Sequence, residues 1–260
     1  MNMTLHPTKI LKMASMVVIP IAISIFAVWS VIASYEMPPA AKIQQNNFTD
    51  FYSPQYKRAI EKSRKSAVQV ISLDSTSIML SSASGTYFTS YGDFFVVTVY
   101  HGIQGPCELT MFVHDGNMYD CIEYVVLDSY SDYAIIQTEK IEDRVPIEIP
   151  DDLPKSQSWI GSYSVMNKLV YTGYPNTIGP LTIAGDVAGF IEPEYIYMNS
   201  YAWSGSSGSG VFDHTGKYIG YVIALDVGQT EFGVQVLPNV VLVAPSFNID
   251  WSQVRSRSAR

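Results

Sequence analysis

Three short segments of this 260-residue chain carry residue types that could do nucleophilic chemistry. The first, Phe94-Phe95-Val96-Val97-Thr98-Val99-Tyr100-His101-Gly102, is a β-branched and aromatic run ending on a histidine. An imidazole at a strand end, beside glycine, can turn its ring into a cleft and exchange protons near neutral pH. In the second, Asp132 stands directly before the apolar run Tyr133-Ala134-Ile135-Ile136, where a carboxylate can be buried and orient a histidine. The third, Trp203-Ser204-Gly205-Ser206-Ser207-Gly208-Ser209-Gly210-Val211-Phe212, crowds small residues ahead of a strand-like run. Serine supplies hydroxyls, and glycine lets backbone N–H groups converge on a developing negative charge. Each segment also has an ordinary reading, as a loop histidine, a turn aspartate and a Gly/Ser linker. The linker reading fits the third poorly, because Trp203 precedes it and the β-like YIGYVIAL follows.

The elements that must position these groups read as strands. From Ser66 onward come SAVQVISL, SIMLSS, GTYFTS, FFVVTVY, LTMFVH, MYDCIEYVVL and YAIIQT, then LVYTGY, LTIAGDVAGFI, YIYMNSYAW, GVFD, YIGYVIAL and FGVQVL. Turn signals such as Tyr91-Gly92-Asp93 and Asp115-Gly116 separate them, and no amphipathic helices intervene, so the pattern predicts a barrel or sandwich. Two helices are expected outside it. One covers Pro54 to Lys65, with proline at its start, and the other lies in the tail SFNIDWSQVRS.

Composition bounds the rest. Hydrophobic residues make up 47 % and charged residues 15 %, which excludes a disordered chain. A net charge of −8 argues against nucleic acid as a partner. Two cysteines can build neither a disulfide framework nor a four-thiolate zinc site. Near the N-terminus, Met13–Ala33 is an uncharged stretch of 21 residues, long enough for the ~30 Å of a hydrocarbon core. Lys9 and Lys12 precede it, which predicts a cytoplasmic N-terminus over residues 1–12 and an anchor over 13–34. Everything downstream would then face the periplasm, a lumen or the exterior. A cleaved signal segment, giving a secreted protein, is the alternative. Residues 35–53, with a Pro-Pro pair, read as a tether to a domain over 54–260.

Taken together, SASGTYF, VVTVYHGI, DSYSDYAII and GSSGSGVFDHTGKYIGYV resemble the trypsin-like (chymotrypsin-fold) serine peptidases, in the compact form of bacteria and viruses, phages included. The family order of His, Asp and Ser is met, with His101 and Asp132 31 positions apart and Ser207 75 positions further on. The resemblance implies an all-β fold of two six-stranded antiparallel Greek-key barrels with a short C-terminal helix. It implies a serine endopeptidase acting on protein or peptide substrates, without cofactor or metal. Ser207 would be the nucleophile, His101 the general base, Asp132 the group that orients it, and the N–H groups of Gly205 and Ser207 the oxyanion hole.

Ser207 is the only serine here with glycine at both the −2 and +1 positions. The alternative elbow G-x-S-x-G fails, because Ser209 occupies the place of its second glycine. Asp128 is a rival to Asp132, and His6, His114 and His214 are rivals to His101. By the same resemblance, Tyr201, Ala202 and Trp203 with Ile223, Ala224 and Leu225 line the primary substrate pocket. With Tyr201 at its base, a strong Arg/Lys preference is not expected. Ser206 stands where members activated by cleavage carry an acid. Cys107 and Cys121 flank the Asp115-Gly116 hairpin, but a regular two-residue turn would pair Cys107 with Tyr124, so their bonding stays open. The competing reading is a membrane-tethered barrel that binds a partner and is catalytically silent.

Overall fold

A computed structural model describes residues 53–149, 162–191, 195–230 and 233–258. The expected anchor over 13–34, the 1–12 terminus and all of the expected tether but Ser53 lie outside the described residues. Among the described residues, no helix is long and apolar enough to cross a membrane.

The first element, α1 (Pro54–Ser66), starts as its sequence predicts, with Pro54 in the first turn and the Ser53 hydroxyl accepting the Tyr56 N–H at 3.2 Å. Its buried residues include Tyr56, Ala59 and Ser63, one face of a helix. The Tyr56 hydroxyl donates to the Leu169 carbonyl, and Ser63 Oγ to Thr172 Oγ1. At the other end, Arg144 Nη1 donates to the carbonyls of Arg64 and Ala67, where the helix has run out of its own donors.

Thirteen strands follow among the described residues: β1 (Ala67–Leu73), β2 (Met79–Ser90), β3 (Asp93–Thr98), β4 (Thr110–His114), β5 (Asn117–Asp128), β6 (Tyr133–Thr138), β7 (Ile147–Glu148), β8 (Lys168–Gly173), β9 (Leu181–Ile191), β10 (Tyr195–Asn199), β11 (Gly210–Asp213), β12 (Tyr218–Thr230) and β13 (Gly233–Pro245). The first six close into a ring in the order β1-β2-β3-β6-β5-β4, because β1 pairs with both β2 and β4. The last six close as β8-β9-β10-β13-β12-β11. The two barrels thus have the same connectivity, and both are antiparallel within the ring. The all-β double barrel and the short C-terminal helix, α2 (Ser252–Ser258), match the expectation.

Three details differ from it. The segments SIMLSS and GTYFTS form one strand, β2, since Ala83 and Ser84 continue the ladder with β1. Strand β7 adds to β2 in parallel, outside the ring. The tail is broken into a 3₁₀ turn at Ser246–Asn248 and α2.

Where the barrels meet, Phe88 of β2 packs edge-on against Tyr218 of β12 and lies 5.0 Å from Trp251, just ahead of α2. Phe212 of β11 completes this aromatic seam. Leu169, Val187, Ile196, Met198, Val211, Ile219 and Val243 fill the second barrel, alternating along their strands as a buried face requires. The Asp115-Gly116 turn closes the β4–β5 hairpin with both residues at positive φ, as a primed turn demands. Cys107 and Cys121 are bonded, with Cα atoms 5.4 Å apart. The register problem is solved by a 3₁₀ turn at Cys107–Leu109, which advances less per residue than a strand.

Candidate active site

Strand β3 ends at Thr98, and a 3₁₀ turn over Tyr100–Gly102 carries His101. One carboxylate holds it twice: Asp132 Oδ1 accepts the His101 backbone N–H at 3.0 Å, and Oδ2 lies 2.7 Å from Nδ1. The Tyr100 N–H reaches the Asp132 carbonyl as well. Asp132 sits at φ 55° immediately before β6, a left-handed conformation that aspartate tolerates. With the carboxylate ionised, Nδ1 is the donor and Nε2 carries the free lone pair. The ring remains half exposed, so that lone pair is accessible. From the second barrel, the Tyr221 hydroxyl donates to the Ser131 carbonyl at 2.6 Å, bracing the segment next to Asp132. Asp128 does another job: its Oδ1 accepts the N–H groups of Tyr130 and Ser131 and closes that turn. Of the rival histidines, His114 is buried in β4 and His214 lies in the β11–β12 turn, while His6 is outside the described residues.

Ser207 lies in the connection between β10 and β11, which is ordered by hydroxyls and backbone. The Ser206 N–H donates to the Trp203 carbonyl, and the Trp203 N–H donates to Ser206 Oγ. Ser206 Oγ also meets the Tyr171 hydroxyl, which burial pushes well above its ordinary pKa and keeps protonated. Ser209 is buried, and both its N–H and its Oγ donate to the Ser206 carbonyl. Its hydroxyl is therefore already used. Gly208 at φ 87° donates to Val222, and a Cβ there would collide with the Ser84 carbonyl. Gly205 at φ 93° lies so close to the Tyr174 carbonyl that a Cβ would stand 2.6 Å from it. Among the described residues, the N–H groups of Gly205 and Ser207 and the Ser207 hydroxyl have no hydrogen-bond partner. Trp203 contributes less to this order than its size suggests, being half exposed and stacked on Tyr201.

His101 and Ser207 line one cleft of about 540 Å³, and Gly205 and β2 residues Met79 to Ala83 complete much of its wall. Of the residues expected around a primary pocket, Ala202 is buried, Ile223 is half-buried, and Tyr201 and Trp203 are exposed. None of the four lines this cleft. The side chains of Ala224 and Leu225 lie outside the described residues.

Ser84 is a site residue that the sequence did not reveal. Fully buried in β2, it donates through Oγ to the Gly205 carbonyl at 2.6 Å and accepts the Tyr174 N–H at 2.8 Å. Its own N–H donates to the Ser207 carbonyl, and its carbonyl accepts from Thr98 Oγ1. Two bonds from this residue of the first barrel thus clamp the Ser207 loop of the second, a third holds Tyr174 just after β8, and the fourth ties β2 to β3 within the first barrel. Nothing in the serine-rich run Ser81-Ser82-Ala83-Ser84 marks this one out.

An imidazole oriented by a carboxylate, beside an unpartnered hydroxyl and two unpartnered N–H groups, can pass a proton and stabilise an oxyanion. Comparison with known proteins identifies the family and the fold. The model of the trypsin-like peptidase domain matches residues 83–220, more than half of the chain. A serine endoprotease from Yersinia pestis has a similar crystal structure, with TM-score 0.58 and 15 % identity. The match covers 78 % of this chain and 66 % of that one, so this chain spans only part of that protein's length. No curated protein matches by sequence. The chain belongs to the trypsin-like peptidase family.

Proposed function

We propose that this protein is a serine endopeptidase using His101, Asp132 and Ser207. The observation that carries the reading is the doubly bonded His101–Asp132 pair opening on the same cleft as Ser207. Ser207 Oγ attacks the scissile carbonyl carbon while His101 Nε2 takes the hydroxyl proton. The oxygen becomes an oxyanion between the N–H groups of Gly205 and Ser207, each worth about 3–4 kcal/mol in related chemistry. His101 then gives its proton to the leaving amine, the C–N bond breaks, and water repeats the sequence on the acyl-enzyme. Asp132 holds the tautomer and stabilises the imidazolium. Tyr201, Ala202 and Trp203, with Ile223, Ala224 and Leu225, hold the acyl half of the substrate.

The catalytic domain is tethered to a membrane by residues 13–34 and works outside the cytoplasm. The Cys107–Cys121 bond supports that compartment, since disulfides persist where the medium is oxidising. Full-length protein should therefore stay in the membrane pellet after an alkaline carbonate wash.

A fluorophosphonate should label the protein at Ser207, and Ser207→Ala should abolish labelling. Labelling that survives Ser207→Ala would assign the nucleophile elsewhere. An unlabelled but folded wild type would favour the silent binding module.

A further inference from the structure

The cleft is apolar on one wall, and a break in strand pairing makes it so. Strands β1 and β2 pair regularly from Ala67↔Thr86 to Ser72↔Ser81, and the next pair is Leu73↔Met79. Leu80 is left without a cross-strand partner, a bulge that re-aims its side chain. Leu80 is 52 % exposed and Met79 47 %, and both line the cleft beside His101 and Gly102. Asn176 and Thr177 also line it, followed in sequence by the exposed Ile178.

Both hydroxyls of the β2 wall already have a partner. Ser81 Oγ donates to the Gly102 carbonyl at 2.6 Å, and Ser82 Oγ accepts from Gln69 Nε2 at 3.0 Å. Among the described residues no Asp, Glu, Lys or Arg lines the cleft. A charged side chain entering it would lose water and meet no counter-charge, whereas an apolar one would cover Met79 and Leu80.

The position relative to His101 indicates which half of a substrate fits. On the proposed mechanism the leaving amine collects its proton from His101 and departs on that side. The acyl half lies toward Tyr201–Trp203 and Ile223, none of which borders this space. We infer that the enzyme selects substrates by an apolar side chain just after the scissile bond, at the first or second residue, with Met79 and Leu80 determining that specificity. This rests on the proposed roles of His101 and Ser207.

The test uses the full chain in detergent micelles. Fluorophosphonate labelling of the wild type is recorded first, and a diverse peptide mixture is then digested and the new N-termini identified by mass spectrometry. Leu, Met, Ile, Val or Phe should be enriched at least fivefold at the first or second position after the cut. Leu80→Asp should replace that preference by Lys and Arg and lower kcat/KM at least tenfold on the peptide best cut by the wild type. Leu80→Met should keep the apolar profile. A labelled, active enzyme that is indifferent to residues after the cut, or whose profile Leu80→Asp leaves unchanged, overturns this inference alone. A wild type that neither labels nor cleaves overturns it together with the reading of Ser207.

Discussion

In the first barrel the connection after the third strand carries His101, and in the second barrel the corresponding connection carries Ser207. The strand order around the two is the same, but the means of holding the connection differ. His101 is held by a charge, the Asp132 carboxylate, which meets both its ring and its backbone. Its connection is also tied to β5 by the Cys107–Cys121 bond. Among the described residues the Ser207 connection has no charged partner, and it is held by the hydroxyls of Ser206, Ser209 and Ser84 with main-chain groups around them. One topology thus supports two kinds of positioning. A carboxylate can also answer a change of charge on the ring it holds, whereas neutral hydroxyls fix a backbone without biasing the N–H groups it presents. Each barrel further braces the other, Ser84 from the first reaching the Ser207 loop and Tyr221 from the second reaching the segment before Asp132.

The largest effect is expected where charge does the positioning. Asp132→Asn keeps the shape and tolerates the same positive φ, so the loop should survive. Its amide would present N–H to Nδ1 and favour the wrong tautomer, and kcat should fall about 10³–10⁴-fold. Melting should change little. A fall of less than tenfold would mean that the carboxylate positions the backbone only, and the contrast between the barrels would disappear.

The hydroxyl clamp should matter less per group. Ser84→Ala leaves the Gly205 carbonyl and the Tyr174 N–H buried without their partner, which costs about 1–3 kcal/mol. The loop presenting the Gly205 N–H would loosen, and kcat should fall ~10–100-fold with KM nearly constant. The reciprocal Tyr221→Phe removes one bond to Ser131 and should cost less than tenfold. If Tyr221→Phe proved the more damaging, bracing would run mainly from the second barrel to the first. Steady-state kinetics on one peptide, with thermal melting of each variant, decides the order.

Acid should separate the barrels by stability. The buried phenols of the second barrel, Tyr171, Tyr218 and Tyr221, are pushed up by desolvation and stay neutral at any working pH. In the first barrel, His114 is buried, and desolvation with the nearby Arg144 pushes its pKa below the ordinary value, while Asp115 and Asp143 pull the other way. The folded state therefore favours the neutral ring. Its contribution is complete above the unfolded value of ~6.5 and is lost as pH falls from there through the lowered folded value. The melting temperature should drop between pH 7 and 5, and His114→Gln should flatten that part of the profile. A profile identical in His114→Gln would assign the acid sensitivity to another group.

How much of this could be read in the chain depends on the range of the interaction. Local chemistry was legible: Pro54 and Ser53 start α1, Asp115-Gly116 closes a hairpin, and strand runs alternate where one face is buried. His101 and Asp132 stand out in the sequence because each ends or begins an apolar strand. Ser84 does not, because its four partners lie between 14 and 123 positions away and no local pattern encodes them. The Leu80 bulge and the parallel β7 pairing are hidden for the same reason, each depending on a partner strand. The Cys107–Cys121 bond needed a 3₁₀ turn that Glu108-Leu109-Thr110 does not announce.

The smallest effect expected is none, and it tests whether hydroxyls alone order the Ser207 connection. Trypsin-like relatives activated by cleavage insert a new ammonium terminus against an aspartate just before the nucleophile. Here that position is Ser206, buried and already bonded to the Trp203 N–H and the Tyr171 hydroxyl. An ammonium drawn there would lose its hydration without gaining a counter-charge, at a cost of several kcal/mol. The chain ahead of β1 is also committed elsewhere, since α1 is docked through Tyr56, Lys62 and Ser63. Chains beginning at Met1 and at Phe51 should therefore share the same kcat/KM within twofold. A chain beginning at Lys57 loses the Ser53 cap and the buried Tyr56, so it should melt earlier yet keep its kcat/KM wherever it is folded. A hundredfold rise on cutting at one site near residues 60–70 would show that a liberated terminus orders the loop, and that the hydroxyl network around Ser206 does not suffice.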